Sequence, residues 1–341
     1  MPPENESPLR SSTATGVVIV AGKGGVGKTT VTAVLARAAT QVGRHVLVVE
    51  LDGKPTLDRL VGAESGAERP VEVLHLSAPD ALAEYLDEHG FGRVAKRLSR
   101  TGVIDVVGTA APGIDDVVVL GKIKQIERSG AYDLILVDGP AAGHAVTFLT
   151  SASALGDAAR GGPVKVQADD VLELLGDPER CSALLVTLPE TTPVNETIET
   201  AYALEDEVGI RLGPVVVNGL DTPGTPEQRL AAAGSPELPD RDAAESALEA
   251  LPADEASALR AALRFRTRRR AMEADAIERL GATLPLGLLT LPRIPVAGLT
   301  ADDIATLAGE LVAESSRAAS QQATSTGDTP TESASRESID G

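Results

Sequence analysis

The chain of 341 residues has a formal net charge of −19 and is 43% hydrophobic, with three Phe, three Tyr and no Trp, so its core has to be built from Ala, Val, Leu and Ile. The acidity disfavours a general nucleic-acid binder, whose affinity rests on neutralising phosphates. A single cysteine, Cys181, excludes an internal disulfide framework and a Cys-rich zinc or iron–sulfur site within one chain, and His45, His75, His89 and His144 show no ligand spacing. No apolar run reaches the roughly 18 to 20 residues of a membrane span. The N-terminal "MPPENESPLRSSTATG" lacks the basic-then-apolar order of a signal peptide. A cytoplasmic protein without a transmembrane segment is expected.

Residues 1–15 and 317–341 are polar and Ser/Thr-rich, and disordered tails are predicted there because little apolar surface offsets ordering. Between them seven apolar runs read as strands: 17–21, 45–51, 71–76, 134–138, 183–188, 214–220 and 286–292. Several are apolar nearly throughout, as parallel strands covered on both faces are. With helical patterns between them, they predict an α/β, doubly wound and mostly parallel sheet in one domain over 16–316. Residues 78–130 and 156–180 are mainly helical and are predicted to form a subdomain on one side. A third helical block covers about 223–282, its first part rich in Pro and Gly. One glycine-rich loop implies one nucleotide site per chain.

That loop is "GKGGVGKT", Gly22 to Thr29, directly after the first strand and opening a helix. It matches G-x-x-x-x-G-K-[ST] in the context that gives the motif its meaning. Gly22, Gly24, Gly25 and Gly27 free the backbone to aim N–H groups at phosphate oxygens, with Val26 between them and Thr30 following on the helix. Lys28 is the candidate for the β- and γ-phosphates, and the Thr29 hydroxyl for Mg²⁺. The helix adds its positive end.

Lys23 lies outside that logic. "KGGVGKTT" resembles the deviant P-loop of the ArsA, MinD, ParA and nitrogenase iron-protein ATPases. The resemblance implies a dimer in which Lys23 reaches the partner's nucleotide phosphates; the plain alternative is an exposed loop lysine. Further landmarks over 16–316 are similar to the ArsA branch, which includes the ATPase that guides tail-anchored membrane proteins. "VLVVELDGKP" places Asp52 at that branch's switch I aspartate, implied to orient the attacking water, although Gly53-Lys54 replaces the usual Pro-Ala. A strand-end turn aspartate is the alternative. "LILVDGPAAGH" resembles the branch's D-T-A-P-T-G-H, with its proline one place early. It implies Asp138 as a second Mg²⁺ contact, directly or through water, and Asp138, Gly143 and His144 as switch II; a buried structural histidine is the competing reading. "VVVNG" puts Asn218 where the branch reads adenine, and "LPRIPVAGLTADDIATLAGEL" resembles its adenine loop, with Pro292. "APGIDDVVVLGKI" and "GGPVKVQADDVLELL" resemble a single-P-loop actinobacterial subgroup.

The resemblance therefore implies an ATPase using ATP and Mg²⁺ between two chains. These form a homodimer or a heterodimer with a paralogous ATPase, with a protein client in view. The C-x-x-C zinc clasp and the metalloid-binding cysteines of relatives are missing, so no zinc or metalloid site is expected. Two other readings stay open: a regulatory or scaffold subunit with little hydrolysis, favoured by Gly53-Lys54, and a ParA- or MinD-type positioning ATPase, disfavoured by the acidic charge and polar C-terminus. "RFRTRRR", 264–270, reads as a solvated or partner-facing surface or an anionic contact, with Arg269 and Glu273 at pairing distance. Lys122 and Lys124 read as solvated. The helix around Leu82, Leu86 and Phe91 covers the sheet or lines a groove for a client helix.

Overall fold

The computed structural model describes residues 16–51, 55–62, 71–91, 113–221 and 252–325. Seven strands alternate with helices: β1 (Val17–Gly22), α1 (Lys28–Gln41), β2 (Val46–Glu50), α2 (Thr56–Val61), β3 (Glu72–His75), α3 (Ala78–Leu86), α4 (Ile114–Arg128), β4 (Leu134–Ala141), α5 (Ala142–Ala158), α6 (Pro163–Leu175), β5 (Cys181–Thr187), α7 (Thr191–Ala203), β6 (Arg211–Leu220), α8 (Ala253–Thr283), β7 (Leu288–Pro292) and α9 (Ala301–Ser325). The sheet order is β3-β2-β4-β1-β5-β6-β7 and every pairing is parallel. The α/β expectation holds, and each of the seven apolar runs is a strand.

The sheet is covered on both faces, which is why β1, β2 and β5 are buried at every position. Successive side chains point to opposite faces. Ile19, Val49, Val137 and Leu185 meet one helical layer, with Leu82, Val117, Ile123, Leu149, Val171 and Leu280. Val18, Val48, Leu136 and Val186 meet the other, with Leu35, Leu57 and Leu307. The helices α3, α4, α5 and α6 thus lie directly on the first face, with Leu82 among the side chains covering it.

Lys124 is not solvated. It is buried, and its ammonium donates to the Asp170 carbonyl (2.5 Å), Asp170 Oδ1 (2.9 Å) and Glu173 Oε2 (2.8 Å) on α6. Its counter-charges lie more than forty residues away, so local spacing could not reveal them. Lys122 pairs with Glu84 and donates to Gln125 Oε1 (2.8 Å). The final helix runs on to Ser325, past Arg317 where the polar tail was expected; Ala and Gln in that stretch are good helix formers. Residues 1–15 and 326–341 lie outside the described residues.

Two arginines of the basic run are structural. Arg269 Nε donates to the buried Glu273 (2.8 Å), which also accepts from the Asp221 amide (3.0 Å), and Arg266 makes a two-point contact with Asp221 (2.7 and 2.8 Å). They tie α8 to the residue that follows β6. At the sheet edge, the N-terminal end of β3 is held by Tyr132 Oη donating to Glu72 (2.6 Å).

Candidate nucleotide site

The site forms at the carboxyl ends of the strands, where the order reverses between β4 and β1 and helices depart to both faces. β1 delivers the chain into the loop at Gly22, and α1 leaves it at Lys28. Two glycines are sterically required. A Cβ on Gly22 would lie 2.4 Å from the Val186 carbonyl oxygen, and one on Gly27 would lie 2.3 Å from Asn218 Nδ2. Gly27 also has φ +91, in the left-handed region, and no side chain caps the first amides of α1. An uncapped helix start behind a glycine-rich turn is a cradle for anionic oxygens. Val26 turns its side chain into the core, so its part in the loop is played by its backbone.

Lys28 lies over this turn, its ammonium donating to the carbonyls of Gly22 (3.1 Å) and Lys23 (3.5 Å). Thr29 Oγ1 donates to Asp138 Oδ2 at 2.7 Å, across the gap from α1 to β4, and Thr32, one helical turn on, reaches Asp138 Oδ1 at 3.4 Å. Thr30 is half-buried beside the loop. Asn218, at the end of β6, donates through Nδ2 to the Val26 carbonyl (2.8 Å), which leaves its Oδ1 as an acceptor. Pro292 closes β7 opposite Leu220. His144 is exposed near the start of α5, which sets aside the buried reading. It lines a cavity of about 210 Å³ with Leu51, Leu76, Asp116, Pro140 and Phe148, where burial and the neighbouring Asp115 push Asp116 up to about 6. Gly143 lies next to it on α5. Asp52, Gly53 and Lys54 lie outside the described residues.

Lys23 pairs with Glu196 on α7, both partners partly exposed. Sequence reasoning missed that partner, as it missed Thr32 and Glu50. Thr32 had a signal, the i+3 spacing from Thr29. Glu50 and Glu196 had none, because their partners come from other elements.

Asp138 is the electrostatic centre. Burial holds its carboxyl above the usual carboxylate range and the Glu50 charge adds to this, while bonds from Thr29 and Thr32 and the charge of Lys28 pull the other way. A carboxyl raised on folding is best tolerated when neutral, so its contribution to stability is fully present below pH 3.8 and is lost as pH rises through the raised value. Asp138→Asn should therefore raise the unfolding temperature of the nucleotide-free protein at pH 7, by about 2–4 °C per kcal/mol relieved. The advantage should shrink as the pH falls and the wild-type carboxyl neutralises. Thermal unfolding of both proteins across pH checks this; an Asn variant that is less stable at pH 7 would refute it.

The hard oxygens of Thr29 and Asp138 converge beside the phosphate cradle, a donor set that suits Mg²⁺ rather than a thiophilic metal. Among the described residues no helix is long and apolar enough to cross a membrane. A parallel sheet with this loop at its carboxyl edge defines a P-loop nucleotide-binding protein. Residues 15–160 match the model of the anion-transporting ATPase family. Relatives include the ATPase BagA of Mycobacterium tuberculosis, 35% identical over 220 residues, covering 59% of this chain and 64% of that protein. An arsenical pump-driving ATPase of Escherichia coli is 28% identical over 227 residues, 66% of this chain and 38% of that one. An ATPase ASNA1 homolog of Entamoeba histolytica is 29% identical over 173 residues, 46% of this chain and 52% of that one. Over residues 15–160 the chain is similar to the anion-transporting ATPase family. It spans less than two thirds of the length of the mycobacterial relative.

Proposed function

We propose that the chain is a cytoplasmic ATPase that binds ATP with Mg²⁺ on the 22–29 loop and hydrolyses it at an interface between two chains. The observation that carries this reading is the convergence of Thr29 on Asp138 at the mouth of a loop whose Gly22 and Gly27 admit no side chain. The backbone amides and Lys28 hold and neutralise the β- and γ-phosphates, and Thr29 and Asp138 hold the ion, which supplies charge neutralisation at the transferred phosphoryl group. Asp52 orients the water, and Asn218 Oδ1 accepts from the adenine amino group beside Pro292. Asp138, Gly143 and His144 form the segment that responds to the γ-phosphate. Such sites act by positioning and electrostatics, and the output is opening and closing of the pair for a client or partner. No zinc or metalloid enters this chemistry.

Lys23 serves the neighbouring chain in this reading, so its pair with Glu196 has to open first. Both groups are partly exposed, which makes the pair weak. Glu196→Gln is expected to strengthen ATP-analogue-dependent association severalfold, while Lys23→Ala abolishes turnover yet retains binding. Sedimentation with and without analogue, alongside Mg²⁺-ATP turnover, tests both. A nucleotide-independent monomer that still turns over ATP would sink the dimeric reading; a monomer that binds ATP without turnover points to a paralogous partner. The second reading, a regulatory subunit with little hydrolysis, draws its support from Gly53-Lys54 in place of Pro-Ala.

A further inference from the structure

Beside the nucleotide site, β2 ends at Glu50, and the chain returns at α2 with Asp58 on its first turn. Glu50 is 2% exposed, an unusual place for a carboxylate. Its strand neighbour on one side is Asp138 and on the other His75. The buried Oε2 of Glu50 has no hydrogen-bond donor of good geometry among the described residues. What stands against it is the imidazole of His75, whose Nδ1 lies 2.5 Å away, while Nε2 of the same ring lies 2.8 Å from Asp58 Oδ2. One ring thus joins the last residue of β2 to the first turn of α2. The backbone reinforces the first contact, the Leu76 amide donating to the Glu50 carbonyl at 2.9 Å.

We propose that protonated His75 is a positioning residue of the nucleotide site, tying the end of β2 to α2 and offsetting the buried Glu50 charge beside Asp138. The role rests on the ATPase reading, because the stretch from Glu50 to Asp58 carries Asp52 in the sequence. The physical case is one of charge. Two carboxylates paired on neighbouring parallel strands, Glu50 and Asp138, repel in a partly dry environment, and an uncompensated buried carboxylate is costly. A cation on the far side of Glu50 removes that penalty and leaves Asp138 the lone negative group facing Thr29 and Lys28. Among the described residues the ion-pair partners of His75 are Glu50 from β2 and Asp58 from α2. Burial, the largest single influence on the ring, pushes its pKa down, and the Asp58 and Glu50 carboxylates together outweigh it and hold the ring above its ordinary 6.5. The charged clamp is accordingly complete below pH 6.5 and is lost as pH rises through the raised value.

The test uses the full chain in three forms: wild type, His75→Gln and Asp58→Asn. The ring is 42% exposed and Asp58 44%, so both variants should keep the fold. Amide hydrogen exchange, corrected for intrinsic pH dependence, is followed in peptides covering 50–58 and, as an internal control, 22–30. His75→Gln is expected to speed exchange in 50–58 by about tenfold, Asp58→Asn by less, and neither to change the control peptide. Wild type should show the same loosening when pH is raised from about 6 to about 9, and His75→Gln should not respond. In Mg²⁺-ATP turnover, His75→Gln should lower kcat about tenfold with KM nearly constant, as a positioning loss does. Equal exchange in wild type and both variants overturns the clamp, and so does wild-type exchange in 50–58 that stays the same from about pH 6 to about pH 9. A wild-type protein that turns over no ATP yet shows the exchange difference keeps the clamp and overturns the ATPase reading instead.

Discussion

Lys28→Ala should lower Mg²⁺-ATP turnover by about a thousandfold while leaving the fold intact. The lysine is the first residue of α1, and its ammonium already lies over the cradle, on the carbonyls of Gly22 and Lys23. Both of those acceptors belong to the loop itself, so the ammonium already sits where a phosphate entering the same turn would meet it. Removing one preorganised donor from the place where charge develops costs about 100- to 1,000-fold in comparable sites, and Lys28 carries a full charge as well. Its contribution to stability is small by contrast. The side chain is half-buried and fills no core position, so the unfolding temperature of the nucleotide-free variant should change by about 2 °C or less. Lys28→Arg should not restore activity, because a planar guanidinium replaces a compact point charge in a turn built tightly around it. Turnover above about a tenth of wild type in Lys28→Ala would place the phosphate elsewhere, and a large fall in stability would mean that the lysine is structural.

What the sequence makes legible is whatever is contiguous in the chain. "VVIVA", "LILVD" and "ALLVT" are legible as buried parallel strands because apolarity without alternation has one economical explanation, cover on both faces. The phosphate loop is legible for the same reason, since its glycines, lysine and threonine are neighbours. The order β3-β2-β4-β1-β5-β6-β7 was not legible, because strands adjacent in space come from distant parts of the chain. The site shows the same division. Asp138 could be named from its place at a strand end, but the company it keeps could not. Thr32 lies 106 residues away in sequence, and Glu50 faces it only because β2 and β4 are paired. Lys124 shows the cost of reasoning from local polarity: a lysine in "GKIKQIE" looks solvated until α6 folds over it with Asp170 and Glu173. Asn218 was found, yet its bond to the Val26 carbonyl makes it part of the wall that holds the loop in shape as well as a candidate for the base.

The loop's glycines are not equivalent, and stability should separate them. At Gly22 the chain leaves the most central strand, and a methyl group there would meet the Val186 carbonyl oxygen at 2.4 Å. That oxygen belongs to β5, paired with β1 from Val17↔Cys181 to Ala21↔Leu185 and buried throughout, so neither strand can move aside without losing ladder bonds. The backbone at Gly22, with φ +157, adds conformational strain for any L side chain. Gly22→Ala is therefore expected to cost about 3 kcal/mol, at the upper end of overpacking penalties. For a chain of this size that is a fall of about 6–12 °C in unfolding temperature. Gly24 is the control inside the same motif: a Cβ there meets nothing within 4 Å, and its φ is not in the left-handed region. Gly24→Ala should leave stability within about 0.5 kcal/mol of wild type. Any loss of nucleotide affinity in that variant would then report the approach of phosphate to the backbone, separated from folding. Thermal unfolding of the two variants, each paired with a nucleotide titration, reads both effects. Equal destabilisation at the two positions would mean that Gly22 is there for turn flexibility alone, and that β1 and β5 do not close on each other as tightly as the 2.4 Å approach requires.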